Sequence, residues 1–240
     1  MATPSCCPNF LLTGALALAC VITPASLCAQ TTAPGKPVPE VANADGWLPL
    51  FDGTTLSGWT TVGPNLWQVK DGVVIGTGPV SHLFSPNLYT NLEFKAEVRL
   101  NHSGNSGMYI RVARGPGFPR GYEAQVENTS PDPQRTGSLY GFSPVREQLV
   151  ADDTWWTQTV VAVGNHIIIK VNDKIVTDFI DQKNTYRAGY LAFQQHNDGS
   201  VVEFRHAVAK RLPEDAAAAW AMVKKDLPDA KIPAAEATAK

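Results

Sequence analysis

Between Trp47 and Leu212, apolar and polar positions alternate in short runs broken by Gly, Asn or Asp. Alternation with a period of two puts successive side chains on opposite faces of a strand, so each run predicts a β-strand. The clearest set is residues 157–178. Thr157 to Val163 is β-branched and apolar, Gly164-Asn165 turns, His166 to Val171 returns, and Asn172-Asp173 turns again before Lys174 to Asp178. Short turn-forming pairs between β-branched runs are hairpin signals. Further strands are predicted over 67–69, 73–76, 92–100, 107–112, 122–127, 189–194 and 201–209. No long amphipathic helix interrupts them, which argues against βαβ units. The pattern predicts an all-β fold of two packed antiparallel sheets, a jelly-roll sandwich.

The flanks read differently. Pro213 is expected to open a short C-terminal helix, with Glu214 and Asp215 in its first turn and Lys224 and Lys225 in its last, matching the helix dipole. Trp220, Val223 and Leu227 form an apolar stripe that docks on the sandwich. Beyond Pro228 the chain is rich in Ala and Lys and reads as a loose tail. The organisation expected is a signal peptide at 1–29, a linker at 30–44, the sandwich domain at 45–212, and the helix with its tail at 213–240.

Residues 1–29 carry no charged side chain, and Leu11 to Ile22 is an apolar run shorter than the roughly 20 residues of a membrane span. We therefore expect export to the periplasm or the exterior, cleavage near Ala29 and no membrane span, although the usual Lys or Arg of the leader is missing. Cys6, Cys7, Cys20 and Cys28 all lie in this segment, so the mature protein is expected to have neither thiol nor disulfide. A lipid anchor at Cys20 stays open, with Ala17 standing where lipoprotein signals place Leu. With a net charge of -2 and scattered Lys and Arg there is no basic stripe for nucleic acid. Oligomeric state has no signal here.

Strand 122–127 holds the densest candidate chemistry. Parity puts Glu123, Gln125 and Glu127 on one face and Tyr122, Ala124 and Val126 on the other. The second set suits a core; the first is either a solvated face or a working one on the outer, concave side. If Met108 and Ile110 point inward, Arg111 shares the polar side with Tyr109, to pair with Glu123 or to grip sugar hydroxyls. His196 follows Gln194-Gln195 at a strand end, suited to proton transfer or to a structural role. His82, His102, His166 and His206 read as surface or packing residues. Trp67, Tyr140, Trp155 and Trp156 are either packing residues or platforms for the C–H faces of sugar rings. No H-x-x-x-H spacing supports a transition-metal site, and no nucleophile-elbow sequence supports a serine hydrolase.

Taken together, six pieces resemble a known family. Leu50-Phe51-Asp52-Gly53-Thr54-Thr55-Leu56-Ser57-Gly58-Trp59 is similar to the opening signature of the 3-keto-disaccharide hydrolase domain. Asn105-Ser106-Gly107-Met108-Tyr109-Ile110-Arg111, Gly121-Tyr122-Glu123-Ala124-Gln125 and Gly137-Ser138-Leu139-Tyr140-Gly141 resemble its successive inner motifs. Phe193-Gln194-Gln195-His196 and Glu203-Phe204-Arg205 resemble its closing ones. The chain departs from the family pattern at Glu127-Asn128, His206 and Phe193.

The resemblance implies a concanavalin A-like or laminarinase-like sandwich acting on carbohydrates oxidised to a ketone at C3. The chemistry implied is removal of the C2 proton, elimination at C1 and hydration of the glucal. Glu123 and His196 would be acid, base or ligands of a divalent metal ion, with no organic cofactor. Arg111, Gln125 and Gln194 would orient the sugar. Two other readings remain: a lectin-like module that binds glycans without turnover, and a retaining glycosidase of laminarinase type using Glu123 and Glu127.

Overall fold

A computed structural model of the protein describes residues 41–231. The expected signal peptide with its four cysteines, the expected linker up to residue 40 and the tail from residue 232 lie outside the described residues. In chain order the strands are β1 (Leu48–Pro49), β2 (Thr60–Val62), β3 (Gln68–Lys70), β4 (Val73–Gly76), β5 (Ser81–Tyr89), β6 (Leu92–Leu100) and β7 (Asn105–Val112). They continue as β8 (Tyr122–Glu127), β9 (Trp156–Val163), β10 (His166–Val171), β11 (Lys174–Ile180), β12 (Gly189–Gln195) and β13 (Val202–Arg211). One helix, α1 (Ala216–Val223), follows.

The strands form two antiparallel sheets, as the alternating pattern predicts. The larger runs β11-β10-β9-β6-β13-β4-β3, with β1 added on β13; the smaller runs β2-β5-β12-β7-β8. Inward residues of both meet in one core. Phe193 of the smaller sheet packs on Phe204 at 4.0 Å and Phe94 at 5.4 Å between ring centroids, both from the larger. Tyr122, Ala124 and Val126 belong to that core, the face their parity assigned to them. Asn172 and Asp173 turn β10 into β11 with φ of 48° and 64°, the left-handed pair that suits a tight hairpin turn.

The longest strand absent from the sequence reading is β5. It contains Pro86, which has no N–H for a ladder and interrupts the strand pattern of the segment. The sheet tolerates it because the pairing with β12 slips between Phe84 and Leu88, leaving Ser85, Pro86 and Asn87 as a bulge. Ser85 Oγ holds that bulge by accepting from Leu191 N at 2.9 Å and donating to Asn87 O at 2.9 Å.

The helix is one turn shorter than its sequence signals. Asp215 is its N-cap, accepting from Ala218 N at 2.8 Å, and Lys224 and Lys225 fall in the 3-10 turn beyond it. Trp220, Val223 and Leu227 pack on Val161, Val163 and Ile168 of the larger sheet, as the stripe predicts.

Candidate active site

The outer face of the smaller sheet presents two rows of side chains. One crosses Val62, His82, Gln194, Gly107 and Gln125; the next crosses Thr60, Phe84, Ala192, Tyr109 and Glu123. Gly107 leaves a gap in the first row, and the Glu123 side chain leans into it. A methyl group there would stand 2.9 Å from Glu123 Cγ and 3.0 Å from Cδ, and closer still to Oε1. That close approach is the physical reason for glycine in Asn105-Ser106-Gly107.

Three connections wall this face into a cleft of about 510 Å³. Residues 113–121 contribute Phe118 and Pro119, residues 128–150 contribute Asp132, Tyr140 and Phe142, and the β11–β12 connection contributes Tyr186. Its volume suits one or two sugar rings. Phe118 is 64% exposed and lies 5.2 Å from the His196 ring.

Glu123 is the most strongly perturbed carboxyl lining the cleft. Burial, with the Asp132 charge adding to it, raises its carboxyl from 4.5 to about 8, against the opposing hydrogen bond from Tyr109. Gln194 Nε2 donates to the Tyr109 hydroxyl at 2.9 Å, so a chain runs Gln194 to Tyr109 to Glu123. Burial, with Glu123 close by, raises the Tyr109 phenol far above its usual range, so it stays a neutral donor. The Gln125 amide, turned so that its nitrogen donates, reaches Glu123 Oε1 at 3.2 Å and Ser106 O at 3.0 Å. His196 stands at the end of β12, its Nδ1 2.9 Å from Asn197 Oδ1. Asp132 accepts from the Tyr140 hydroxyl at 3.0 Å.

Glu123, Gln125, Tyr140, Gln194 and His196 thus converge on one cleft. Two residues expected there do not. Arg111 was assigned to the polar face by parity, but the pairing of β7 with β12 shifts beside it and its φ is 50°. The bulge sends its buried guanidinium to Thr90 O at 2.7 Å, Gly164 O at 2.6 Å and Tyr186 O at 3.2 Å. Burial lowers its pKa to about 10, which leaves it charged at neutral pH. It fastens connecting loops, including the one that carries Tyr186, and does not line this cleft. Trp67 is a core residue: its Nε1 donates to Ser81 Oγ at 3.1 Å and its ring covers Gly76.

Glu127 also stays out of the cleft. Its carboxyl is 0% exposed, receives Arg135 Nη1 at 2.6 Å, and is capped by the Ser130 N–H. The glutamate pair of a retaining glycosidase is therefore not formed. Trp156 lies in the core, while Trp155 stands outside with Arg205 4.1 Å and Arg99 5.1 Å from its ring.

Cleft residues that sequence reasoning did not assign to the site are Tyr109, Phe118, Asp132 and Tyr186; His82, read as a surface or packing residue, is buried. Tyr109 had a usable signal, two residues before Arg111 on a strand paired with β8. Asp132 and Tyr186 enter only through long connections, which carry no periodicity.

The cleft on one outer face of this two-sheet sandwich thus combines a carboxyl, an imidazole and amides between aromatic walls, chemistry that suits polyhydroxylated ligands in general. Residues 46–210 match the 3-keto-alpha-glucoside-1,2-lyase-like domain, and the chain belongs to that family. A 3-keto-disaccharide hydrolase of Bacteroides thetaiotaomicron is 29% identical over 80 residues, covering 28% of this chain and 28% of that protein. Two solved structures from Parabacteroides distasonis, each provisionally assigned as a glycosyl hydrolase, share the fold. One has a TM-score of 0.64 at 24% identity, covering 72% of this chain and 99% of the other. The second has a TM-score of 0.60 at 21% identity, covering 69% and 99%.

Proposed function

We propose that the protein cleaves glycosides already oxidised to a ketone at C3. It removes the C2 proton, eliminates the C1 substituent and hydrates the glucal that results. The observation that carries this reading is the Glu123 carboxyl, raised to about 8 in a cleft that lies within the family-matched region. The C3 ketone acidifies the C2 proton, and a base works best when its pKa lies near the working pH.

Glu123 takes the C2 proton, and the C–H electron pair becomes the enolate. That pair then forms the C1–C2 double bond as the C1–O bond breaks, and the departing oxygen takes a proton from His196. Water adds next: its oxygen bonds to C1, its proton passes to His196, and Glu123, whose proton has meanwhile exchanged with solvent, protonates C2. One water is consumed, and a 3-keto-sugar and a free alcohol leave. The path has no oxocarbenium ion, so it does not need the spaced carboxylate pair of ordinary glycosidases. Tyr109 and Gln125 aim the carboxylate, and Tyr140 and Phe118 flank the sugar.

The family resemblance also brings a divalent metal ion on Glu123 and His196. Among the described residues no group of three or more His, Cys, Asp or Glu side chains is placed to hold one. The Glu123 carboxyl is already engaged by Tyr109 and Gln125, so the protein donors do not form a metal cage and no step above runs through one. Activity that persists after exhaustive chelation fits this assignment; activity restored only by added metal contradicts it. From the uncharged residues 1–29 with their apolar run, we infer that this work takes place outside the cytoplasm.

The test is release of the aglycone from a 3-keto-glycoside by the purified protein. Turnover by the wild type, lost in Glu123→Gln and reduced in His196→Ala, is the expected result. Tight binding of the 3-keto-glycoside with no release would establish a lectin-like module instead.

A further inference from the structure

Phe84, Phe94, Phe193 and Phe204 are fully buried, whereas Phe118 stands 64% exposed at the wall of the cleft. Leaving such a ring in water forgoes the gain of burial, a gain open to any ligand that covers it. The loop that carries it is fastened. It leaves β7 at Val112, opposite Tyr190 near the start of β12, and its tip reaches the ring of His196 past the other end of that strand, 5.2 Å away. Ala113 N donates to Arg120 O at 2.9 Å and closes the loop at its base. Arg114 Nη2 donates to Ser85 O at 2.8 Å, with the guanidinium 3.9 Å from the centre of the Tyr190 ring. Pro116 and Pro119 fix φ on either side of the tip, and Gly117, at φ 67°, turns the chain just ahead of Phe118. A ring held out in this way is in place before a ligand arrives, so binding bears little ordering cost. The residues lining the cleft include the carboxyls of Glu123 and Asp132 and neither Lys nor Arg, which disfavours an anionic ligand.

We propose that Phe118 and Pro119 form the subsite for the departing C1 substituent and select an uncharged aromatic aglycone. This rests on the reading under Proposed function, in which His196 gives a proton to the departing oxygen. That oxygen lies at His196, so C1 faces the His196 end of the cleft and the substituent beyond it meets the Phe118 ring. Tyr140, whose hydroxyl is committed to Asp132, borders the oxidised sugar instead. An aryl group stacked on Phe118 covers the apolar faces of both rings and needs no hydrogen bond from the loop. Phe118 takes no part in the proton transfers; it holds the part of the substrate that leaves.

Benzyl and methyl 3-keto-glucosides, each in both anomeric forms, test this, because their leaving alcohols are of similar acidity and differ in the ring alone. On the anomer that turns over, wild-type kcat/KM should be about tenfold higher for the benzyl substrate, and in Phe118→Ala that ratio should fall to about one, chiefly through the KM for the benzyl substrate. Phe118→Trp should keep the preference. Because Phe118 is exposed, Phe118→Ala removes no core packing. A preference missing from the wild type, or intact in Phe118→Ala, overturns the subsite. An equal loss on both substrates does so too, since it would place the role of Phe118 at His196. A cyclohexylmethyl glycoside turned over as well as the benzyl one overturns selection for an aromatic ring. Calorimetry separates the subsite from the reaction. If the wild type releases neither alcohol yet binds the benzyl substrate about tenfold more tightly, a difference lost in Phe118→Ala, the proposed chemistry falls and the subsite stands.

Discussion

Replacing Glu123 with glutamine should make the protein more stable in alkali while removing its activity. The side chain keeps its shape and its oxygen for Tyr109, but it no longer ionises. In the wild type the carboxyl moves from 4.5 to about 8 on folding, chiefly because it is buried. Between those values the native state binds more protons than the unfolded chain, so stability falls as pH rises through that window. Each tenfold change in proton affinity is worth about 1.4 kcal/mol, which sets an upper bound of roughly 5 kcal/mol above pH 8. Water entering the cleft screens part of it, so about 2 kcal/mol or more should remain. Urea unfolding at pH 5 and pH 9 measures it: the gain of Glu123→Gln over wild type should be larger at pH 9 by that amount. An equal difference at both pH values would refute the assignment of a raised carboxyl at Glu123.

Gly107→Ala inserts a methyl into the space of the Glu123 side chain. Displacing a reacting group by about 1 Å costs on the order of 100-fold in rate, so aglycone release should fall by that factor while unfolding free energy drops by about 1–3 kcal/mol. Arg135→Met leaves the Glu127 carboxyl buried without its cation. A loss of about 3 kcal/mol in urea unfolding at pH 7 is expected, shrinking at pH 4 as the carboxyl protonates. Trp220→Ala undocks the helix from the larger sheet, remote from the cleft. It should cost about 3 kcal/mol in thermal or urea unfolding and leave the KM for the keto-sugar unchanged.

How far the sequence reaches can be judged strand by strand. In β8 the alternation of Tyr122, Ala124 and Val126 with Glu123, Gln125 and Glu127 is regular, and the structure keeps it. Yet shared parity did not mean shared function: Glu127 points the same way and is sealed by Arg135 from a loop eight residues on. Arg111 shows why parity fails locally. A non-glycine residue at φ 50° leaves no mark in the chain, because the bulge arises from pairing with β12 rather than from turn residues. Pro86 broke the strand pattern of β5 and so hid it, and with it His82, whose place depends on which strand lies beside Gln194. The walls of the cleft come from connections without periodicity, so Asp132, Phe118 and Tyr186 become visible only once the sheet is assembled.

The central claim is that Glu123 removes the C2 proton of a 3-keto-glycoside. A substrate deuterated at C2, followed by NMR as the aglycone is released, tests it most directly. The account predicts a slowed reaction with a primary isotope effect, exchange of the C2 label with solvent, and neither process in Glu123→Gln. Release of aglycone with the label retained at C2, or undiminished by Glu123→Gln, would contradict it.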